Sequence, residues 1–314
     1  MKKLSLYLLI LFLIPTFLLT GCKEDNEVEF DGQKALTEYL VAQNLDLNKI
    51  LENFVVDSRL TGDVSSFYIL DIRTAAEYAQ GRIAGSTRID FANLLTEAAK
   101  ATKPILVVCK TGQTATFAVS LLRLSGYDAK ALKWGMAGWN KDLDTWTPNI
   151  GNISVGHANW NKEAAPANVT NLAPKFTSTD TNPANILKAR VAAVVAEGFK
   201  SVTPEDVLSN PGNYFINNYF PEADYLNFGH IKGAYRIQPM LVGAGQVNFL
   251  DPKKKIVTYC YTGQTSGAIT AYLRVLGYDA VSMLWGMNKL HNASTAWTSN
   301  KWAADMAKSN PVSK

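Results

Sequence analysis

The chain has 314 residues, of which 47% are apolar and 18% are charged, and its formal net charge is only +4. This balance excludes an intrinsically disordered chain, and it offers no broad basic surface for nucleic acid, so we expect a small partner. The length is sufficient for two ordinary domains.

The first 22 residues differ from the rest of the chain. Two lysines precede an apolar run from Leu4 to Leu19, which is shorter than the roughly 20 residues of a membrane-spanning helix and is typical of a signal peptide. Its end, LLTGC, resembles the lipobox of bacterial lipoproteins, which implies lipidation of Cys22; a plain secretory signal or a short membrane anchor is the alternative. The lipid would hold the mature protein on the periplasmic or outer side of the cell envelope. Lys23, where some inner-membrane lipoproteins have Asp, favours the outer membrane.

The remaining chain contains one pattern twice. CKTGQT begins at Cys109 and CYTGQT at Cys260, and the sequences that follow align without a gap as far as WGM. Upstream, GRIAGSTRI aligns with GHIKGAYRI, and YILDIR aligns with YFINNY. The offset between the matched segments changes slightly along the chain, as small loop insertions in a duplicated domain would cause.

Each copy predicts a strand, a loop, a helix and a further strand. Before the copies, QKALTEYLVAQ and NILKARVAAVVAEGF predict helices. The apolar runs ILVVC and IVTYC predict buried strands that end at the cysteines, and apolar residues at helical spacing follow each six-residue loop. Gly126 and Gly277 end these helices, and DAKAL and DAVSML predict the next strands. Such units build parallel sheets, whose ligands bind at the carboxyl ends of the strands.

The pattern also predicts the domain organisation. A segment rich in Asn, Thr, Pro and Ala separates the copies and reads as a linker. The predicted parts are a signal peptide (1–22), a tether (23–33), a first domain (34–148), the linker (149–184) and a second domain (185–314).

The cysteines point to chemistry. The chain has three, and lipidation of Cys22 would leave only Cys109 and Cys260. Because these two occupy matching places in two copies, no structural disulfide is expected between them. A sulfur at the start of a helix lies near unpaired backbone N–H groups that stabilise an anion, so we expect a lowered thiol pKa and a nucleophilic thiolate. A buried, inert cysteine is the alternative, but packing does not explain two copies of TGQT.

These motifs resemble the rhodanese family of sulfurtransferases. The resemblance rests on YILDIRTAAEYAQGRIAGS, C..G.T and GYDA.AL..GM.GW, and it covers most of residues 55–145 and 200–292. It implies an α/β fold of two rhodanese-like domains, each a parallel sheet flanked by helices. In that family the loop cysteine takes a sulfane sulfur from a donor, becomes a persulfide and passes the outer sulfur to an acceptor. A six-residue loop goes with sulfur transfer, whereas relatives acting on phosphate or arsenate have a seven-residue loop ending in Arg.

The resemblance implies the site residues. Both Cys109 and Cys260 are predicted to be catalytic, although familiar tandem members keep the cysteine only in the second domain. Asp71 and Arg73 are expected to form an internal ion pair that supports the sheet. The other candidates are substrate-binding residues: Lys110, Thr111, Gly112, Gln113, Thr114, Tyr261, Thr262, Gly263, Gln264, Thr265, Arg88 and Arg236.

The candidate binding residues differ in charge and in the strength of their case. Lys110 beside the first thiol should attract a dianion such as thiosulfate more strongly than the uncharged Tyr261 beside the second. Arg88 and Arg236 could hold an anionic donor, but surface salt bridges are an equal use for them. Trp134 and Trp285 recur at one offset and are expected to pack rather than to recognise a ligand.

The predicted function is an exported, lipid-anchored sulfurtransferase. Its partners would be a small sulfur-containing anion as donor and a thiol or a protein as acceptor, with membrane contact through the lipid anchor only and no nucleic acid. No cofactor is expected, and no metal, because the three histidines lack the spacing of ligands. The alternative is a noncatalytic rhodanese-like binding or sulfur-carrier module of an envelope redox complex.

Overall fold

Two parallel sheets, one in each copy of the repeat, organise the fold. A computed structural model describes residues 30–57, 59, 62–176 and 178–314. The predicted signal peptide, the lipidation site Cys22 and the tether as far as residue 29 lie outside the described residues. Within the described residues, no helix combines the length and the apolar character needed to cross a bilayer.

The first copy contains a five-stranded parallel sheet and its helices. Its elements are the strands β1 (Val55–Asp57), β2 (Tyr68–Asp71), β3 (Thr87–Arg88), β4 (Ile105–Val108) and β5 (Ala129–Lys133), and the helices α1 (Gly32–Ala42), α2 (Leu47–Ile50), α3 (Ala75–Gln80), α4 (Leu94–Ala98), α5 (Gln113–Leu124) and α6 (Gly135–Trp139). The strand order is β1-β5-β4-β2-β3. Every residue of the central strand β4 is buried, as its apolar run predicts.

The second copy repeats this arrangement with one strand fewer. From the linker onward the strands are β6 (Trp160–Asn161), β7 (Ser201–Val202), β8 (Tyr214–Asn218), β9 (His230–Ile231), β10 (Lys255–Tyr259) and β11 (Ala280–Met283), and the helices are α7 (Pro183–Glu197), α8 (Pro204–Ser209), α9 (Glu222–Phe228), α10 (Gln264–Val275) and α11 (Met287–Leu290). The order is β7-β11-β10-β8. The counterpart of β3 is reduced to a single bridge between Asn217 and Tyr235.

Helices α5 and α10 pack against each other and join the two copies. Both begin after a glycine in the left-handed region, Gly112 (φ 87°) and Gly263 (φ 75°). The hydroxyl of Thr116 on α5 lies between the carbonyl oxygens of Gln113 and Gln264, at 2.8 and 2.7 Å. Nearly every side chain of both helices is buried, so the copies share one hydrophobic core, and Asp31–Lys314 forms one compact unit.

The predicted linker is held along the second copy. Its backbone is largely irregular, as its composition predicts, but Trp160 in β6 pairs with Ile231 in β9, in antiparallel orientation. The backbone N–H of Gly151 donates to the carbonyl of Asn288 at 2.9 Å, and that of Asn171 donates to the carbonyl of Asn248 at 2.7 Å. The composition therefore indicated the lack of regular structure correctly, but not these contacts.

The last residues of the chain pack on the first copy, although the sequence assigned them to the second domain. The backbone N–H of Lys308 donates to the carbonyl of Gly138 at 3.0 Å, and that of Ser313 donates to the carbonyl of Arg82 at 2.8 Å. The indole of Trp139 donates to the carbonyl of Pro311 at 2.9 Å. No local sequence pattern predicts that these residues pack on the first copy, because each of these bonds joins residues far apart in the sequence.

Four tryptophans from separate parts of the chain form a cluster. Trp134 lies 5.0 Å from Trp146 and 5.3 Å from Trp302 between ring centroids, and Trp146 lies 4.9 Å from Trp285. Aromatic rings at these separations contribute both burial and favourable ring geometry. The packing role predicted for Trp134 and Trp285 is confirmed, and the cluster ties the two copies and the C-terminal segment together.

Candidate active site

The two cysteines lie at equivalent places, at the carboxyl ends of the strands β4 and β10. Each is followed by its hexapeptide loop, and α5 and α10 begin inside that hexapeptide, at Gln113 and Gln264. Both cysteines are free thiols, and their residues are only 5% exposed at Cys109 and 2% exposed at Cys260. Both thiols are therefore almost wholly shielded from solvent.

Backbone N–H groups surround the sulfur of Cys109. Its Sγ accepts hydrogen bonds from the N–H of Gly112 at 3.1 Å and of Ala115 at 3.3 Å. Burial nevertheless raises the pKa of the Cys109 thiol, the N–H groups of Ala115, Thr111 and Gly112 offset only part of that rise, and the charge of Asp71 adds to it. The prediction of a lowered pKa is therefore wrong for Cys109, because the sequence showed the helix start but not how deeply the sulfur is buried.

Hydroxyl groups line the sulfur of Cys260. Its Sγ lies 3.4 Å from the backbone N–H donor of Ser266 and 3.8 Å from the Ser266 hydroxyl oxygen. That hydroxyl is bonded in turn to the hydroxyl of Ser282 on β11 at 2.8 Å. The first copy has Ala115 and Ala131 at the matching positions. Sequence reasoning missed this pair, although the gap-free alignment of the two copies contains the signal.

The WGM turn after each sheet strand holds the cysteine backbone in place. The N–H of Met136 donates to the carbonyl of Cys109, and that of Met287 donates to the carbonyl of Cys260, each at 3.0 Å. The approach is so close that a Cβ on Gly286 would lie 2.1 Å from the Cys260 carbonyl oxygen. The glycine of WGM is therefore part of the wall of the loop.

The two glutamines of the TGQT loops bind the opposite copy. The Oε1 of Gln113 accepts the backbone N–H of Trp285 at 2.9 Å, and the Oε1 of Gln264 accepts the backbone N–H of Trp134 at 3.3 Å. Both glutamines are buried. They were predicted to bind substrate, but the structure directs both to these contacts, which we call the glutamine latch.

We expect the glutamine latch to control access to the thiol of the other copy. In a Cys109→Ser background, Gln113→Ala removes the acceptor of the partly buried N–H of Trp285, at a cost of about 0.5–1.5 kcal/mol, and loosens the turn that holds Cys260. Alkylation of Cys260 by a small reagent should become several-fold faster. The matched control is Gln246→Ala, because Gln246 accepts the N–H of Leu241 at 2.9 Å within one copy. Equal alkylation rates in the two variants would contradict the expectation.

Lys110 and Tyr261, which follow the two cysteines, each have a side chain that is bound to a carboxylate. The Nζ of Lys110 pairs with Glu77 Oε1 at 2.8 Å. Burial opposes ionisation of Glu77, but hydrogen bonds from Lys110 and from Thr74 outweigh it and lower the pKa of Glu77. The hydroxyl of Tyr261 donates to Asp224, and burial raises the pKa of that tyrosine. The charge of Lys110 is thus compensated, which weakens the predicted attraction for a dianion.

The loop threonines divide into two kinds. Thr111 Oγ1 accepts from the side-chain amide of Gln113 at 3.1 Å, and Thr262 Oγ1 accepts from the backbone N–H of Gln264 at 3.2 Å. These two hydroxyls therefore brace the loops. Thr114 and Thr265 are half-buried in the first helical turns, and their hydroxyls make no hydrogen bond within the described part of the chain, so they stay available to a ligand.

The candidate arginines lie in ion pairs. Arg88 pairs with Asp90 and donates through Nε to the carbonyl of Arg73 at 3.2 Å. Arg236 lies 4.0 Å from Glu222. Both guanidinium groups are partly exposed, so the geometry fits the salt-bridge alternative more directly than anion binding.

Asp71 and Arg73 form a buried, forked ion pair in the first copy. Arg73 approaches Asp71 Oδ2 at 2.6 Å and also donates to the carbonyl of Gly81 at 2.8 Å. In the second copy the neutral Asn217 replaces Asp71 and exchanges hydrogen bonds with the backbone of Ile237, at 2.8 and 3.3 Å. Each copy therefore braces the end of its strand with a different chemistry.

A small cavity borders the first loop. Its volume is about 140 Å³. The lining residues are Arg73, Glu77, Gln80, Lys110, Met136, Asp142, Leu143, Asp144 and Thr145. Its lining carries both signs of charge, and it is large enough for several waters or a small polar molecule.

Comparisons with known proteins bear on this site. The rhodanese-like domain family model matches residues 55–142 and 216–293. A search of curated proteins gave no significant match. Among solved structures, thiosulfate sulfurtransferase from Pseudomonas aeruginosa is 17% identical, with 90% of this chain and 49% of that chain covered and a TM-score of 0.29. The 3-mercaptopyruvate sulfotransferase SseA from Escherichia coli is 18% identical, with 74% and 99% covered and a TM-score of 0.28.

A third solved structure is similar to one copy only. The Alr3790 protein from Anabaena is 29% identical over 27% of this chain and 74% of its own, with a TM-score of 0.24. The two regions matched by the family model together cover more than half of the sequence, and each contains one loop cysteine. The chain therefore belongs to the rhodanese-like domain family and contains two copies of that domain.

Proposed function

We propose that the protein is a sulfurtransferase that carries sulfane sulfur as a persulfide on Cys109 or Cys260. The observation that carries this proposal is the position of Cys109 Sγ at the end of β4, where the N–H groups of Gly112 and Ala115 point at it from 3.1 and 3.3 Å. An anionic sulfur added at this place would receive the same kind of donor. Membership of the rhodanese-like family supports the proposal.

The reaction has two balanced steps. A cysteine thiolate attacks the sulfane sulfur of a donor such as thiosulfate, the S–S bond of the donor breaks, and the electron pair leaves with the sulfite fragment. An acceptor thiolate, on a small molecule or a protein, then attacks the outer sulfur. The S–S bond of the persulfide breaks, and its electron pair returns to the cysteine sulfur. The protein's own residues hold the sulfur and its charge between the two steps.

The proposed location follows from the N-terminal sequence alone. Lipidation at Cys22 would place the protein on the bacterial cell envelope, with the outer membrane favoured by Lys23. Labelling with a radioactive or clickable fatty acid tests this. The label should be incorporated into the parent chain and lost in the Cys22→Ala variant.

The second candidate function is a noncatalytic sulfur carrier or binding module. The burial of both thiols, 5% and 2% exposed, favours it, because a closed loop suits a protein that loads or releases sulfur only with a partner. Persulfide formation without turnover of thiosulfate and a small thiol would support this candidate over the enzyme.

The test is intact-mass measurement of the Cys109→Ser, Cys260→Ser and double variants after exposure to thiosulfate, other thiosulfonates and polysulfide. With Cys22 replaced by alanine throughout, each single variant is expected to gain the mass of one sulfur atom, and the double variant none, because only a thiolate can form the persulfide. Absence of the gain from both single variants with every donor would sink the proposal.

The same variants give a pH dependence. An acid whose pKa is raised stays protonated to a higher pH, so the thiolate fraction of Cys109 grows about tenfold per pH unit below that pKa. In the Cys260→Ser variant, the loading rate should therefore still rise above the ordinary thiol pKa of about 8.5. A rate that levels off below neutral pH would show that burial does not set the reactivity of Cys109.

A further inference from the structure

A continuous chain of hydrogen bonds leads away from the sulfur of Cys260. The Ser266 hydroxyl lies 3.8 Å from Cys260 Sγ, and the Ser282 hydroxyl lies 2.8 Å from that of Ser266. The Ser282 hydroxyl also reaches the carbonyl oxygen of Gly263 at 3.4 Å. Both serines are fully buried, so bulk water does not compete for these bonds.

This series of hydrogen bonds can provide a partner for the Cys260 sulfur both when it is a thiol and when it is a thiolate. When Cys260 is a thiol, its S–H points to Ser266, the Ser266 hydroxyl donates to Ser282, and Ser282 donates to the Gly263 carbonyl. When the sulfur is an anion, Ser282 donates to Ser266 and Ser266 donates to the sulfur. Hydroxyl groups can reverse in this way because each is both a donor and an acceptor.

The first copy offers only a fixed set of donors. Ala115 and Ala131 stand where the second copy has the two serines, and the sulfur of Cys109 receives backbone N–H groups instead. The two thiols therefore share a backbone fold but differ in the groups that contact the reacting sulfur. This difference is separate from that between Lys110 and Tyr261, which bind the carboxylates of Glu77 and Asp224.

We propose that Ser266 is a further catalytic residue of the second site and that Ser282 is its positioning residue. This inference rests on the proposed function. In the discharge step the electron pair of the broken S–S bond returns to Cys260 Sγ, and a hydroxyl donor aimed at that atom stabilises the charge that develops there. Cys260 thereby discharges its sulfur to an acceptor thiol more readily than it would with an alanine at position 266.

Removal of the Ser266 hydroxyl should slow the discharge step more than the loading step. Without the hydrogen-bond donor, a smaller fraction of Cys260 is thiolate, but each thiolate is more nucleophilic. These two effects partly cancel in the loading step. In the discharge step the sulfur is the leaving group, so the loss of the donor has its full effect on the rate. Partial loss of one hydrogen bond to a charged group in the transition state corresponds to about tenfold in rate.

The experiment measures loading and discharge separately in the Cys109→Ser background. The full chain is loaded with thiosulfate or polysulfide, desalted and mixed with a small thiol such as cysteine, and the persulfide is followed by intact mass. Ser266→Ala should slow discharge about tenfold and slow loading distinctly less. Ser282→Ala should slow discharge by a smaller factor, because the Ser266 hydroxyl remains but is no longer held in place.

Two further variants complete the test. Thr270→Val removes another buried hydroxyl from α10, one that lacks a hydrogen-bond partner among the described residues, and it should leave both rates near those of the parent. Ala115→Ser with Ala131→Ser transfers the pair to the first copy, and in the Cys260→Ser background it should speed discharge from Cys109.

The possible failures are distinguishable. If the Cys109→Ser protein never loads, the proposed function fails at Cys260, and the inference about Ser266 is overturned with it. If it loads but Ser266→Ala discharges at the parent rate, the inference about Ser266 is overturned. Equal slowing of loading and discharge with a lowered melting temperature would show a structural role only, which also overturns it.

Discussion

Gly286→Ala is expected to abolish most sulfur loading at Cys260 in a Cys109→Ser background. Gly286 has a φ of 55°, and the added Cβ would lie 2.1 Å from the Cys260 carbonyl oxygen and 2.8 Å from the carbonyl carbon of Tyr261. These are backbone atoms that cannot rotate away, so the loop that carries the thiol must shift. A displacement of about 1 Å at a reacting group can cost about 100-fold in rate, and we expect a loss of that order, measured by intact mass over time.

The control separates the clash from the strain of a left-handed residue. Gly233 has a φ of 79°, and a Cβ there would meet nothing within 4 Å among the described residues. Gly233→Ala should therefore cost only about 1–2 kcal/mol of stability and leave the loading rate close to that of the parent. The expectation is wrong if the two alanine variants load alike.

Asp71→Ala should lower the free energy of unfolding by about 3–5 kcal/mol, because it leaves the buried guanidinium of Arg73 without its counter-charge. Arg73 approaches Asp71 at 2.6 Å, and both side chains are almost wholly excluded from solvent. The remaining bonds of Arg73, to the carbonyls of Glu77 and Gly81, cannot neutralise its charge. Chemical denaturation monitored by tryptophan fluorescence measures the loss.

Glu97→Ala is the matched control for the removal of one carboxylate. Glu97 pairs with the exposed Lys100 at 2.7 Å, where solvent screening leaves an ion pair with only a small effect on stability. An Asp71→Ala cost no larger than the Glu97→Ala cost would show that Arg73 finds water or another partner. The Asp71→Asn variant copies the neutral side chain that the second copy has at Asn217, and it should fall between the two.

The sequence predicted the sheets, the loops and the two thiol positions because these depend on local patterns. Apolar, β-branched runs of four or five residues are typical of buried strands, and the helix that follows each loop favours that assignment. The repeat doubled each signal, so weak patterns such as YFINNY could be assigned from YILDIR. The internal ion pair of Asp71 and Arg73 could be expected from the resemblance.

The contacts between the copies could not be predicted in this way. From the sequence, Gln113 and Gln264 could face either the loop or the solvent, and only the packing of α5 on α10 directs them to the opposite copy. The raised pKa of Cys109 could not be predicted either, because it follows from the depth at which the thiol is buried, which no local sequence pattern shows. The return of the C-terminal segment to the first copy involves residues more than 150 positions apart, for which one sequence carries no periodic signal.

The two contacts of the glutamine latch are related by an approximate two-fold symmetry between the copies. Gln113 binds the backbone of Trp285 while Gln264 binds the backbone of Trp134, so the residue pair of one copy is repeated with the copies exchanged. This reciprocity is that of an isologous interface between two identical subunits, here formed by one continuous chain. Each half supplies the acceptor that the other half's turn requires, and separating the halves would leave an unpaired donor in both. The duplication has made the neighbouring copy a structural component of each sulfur site.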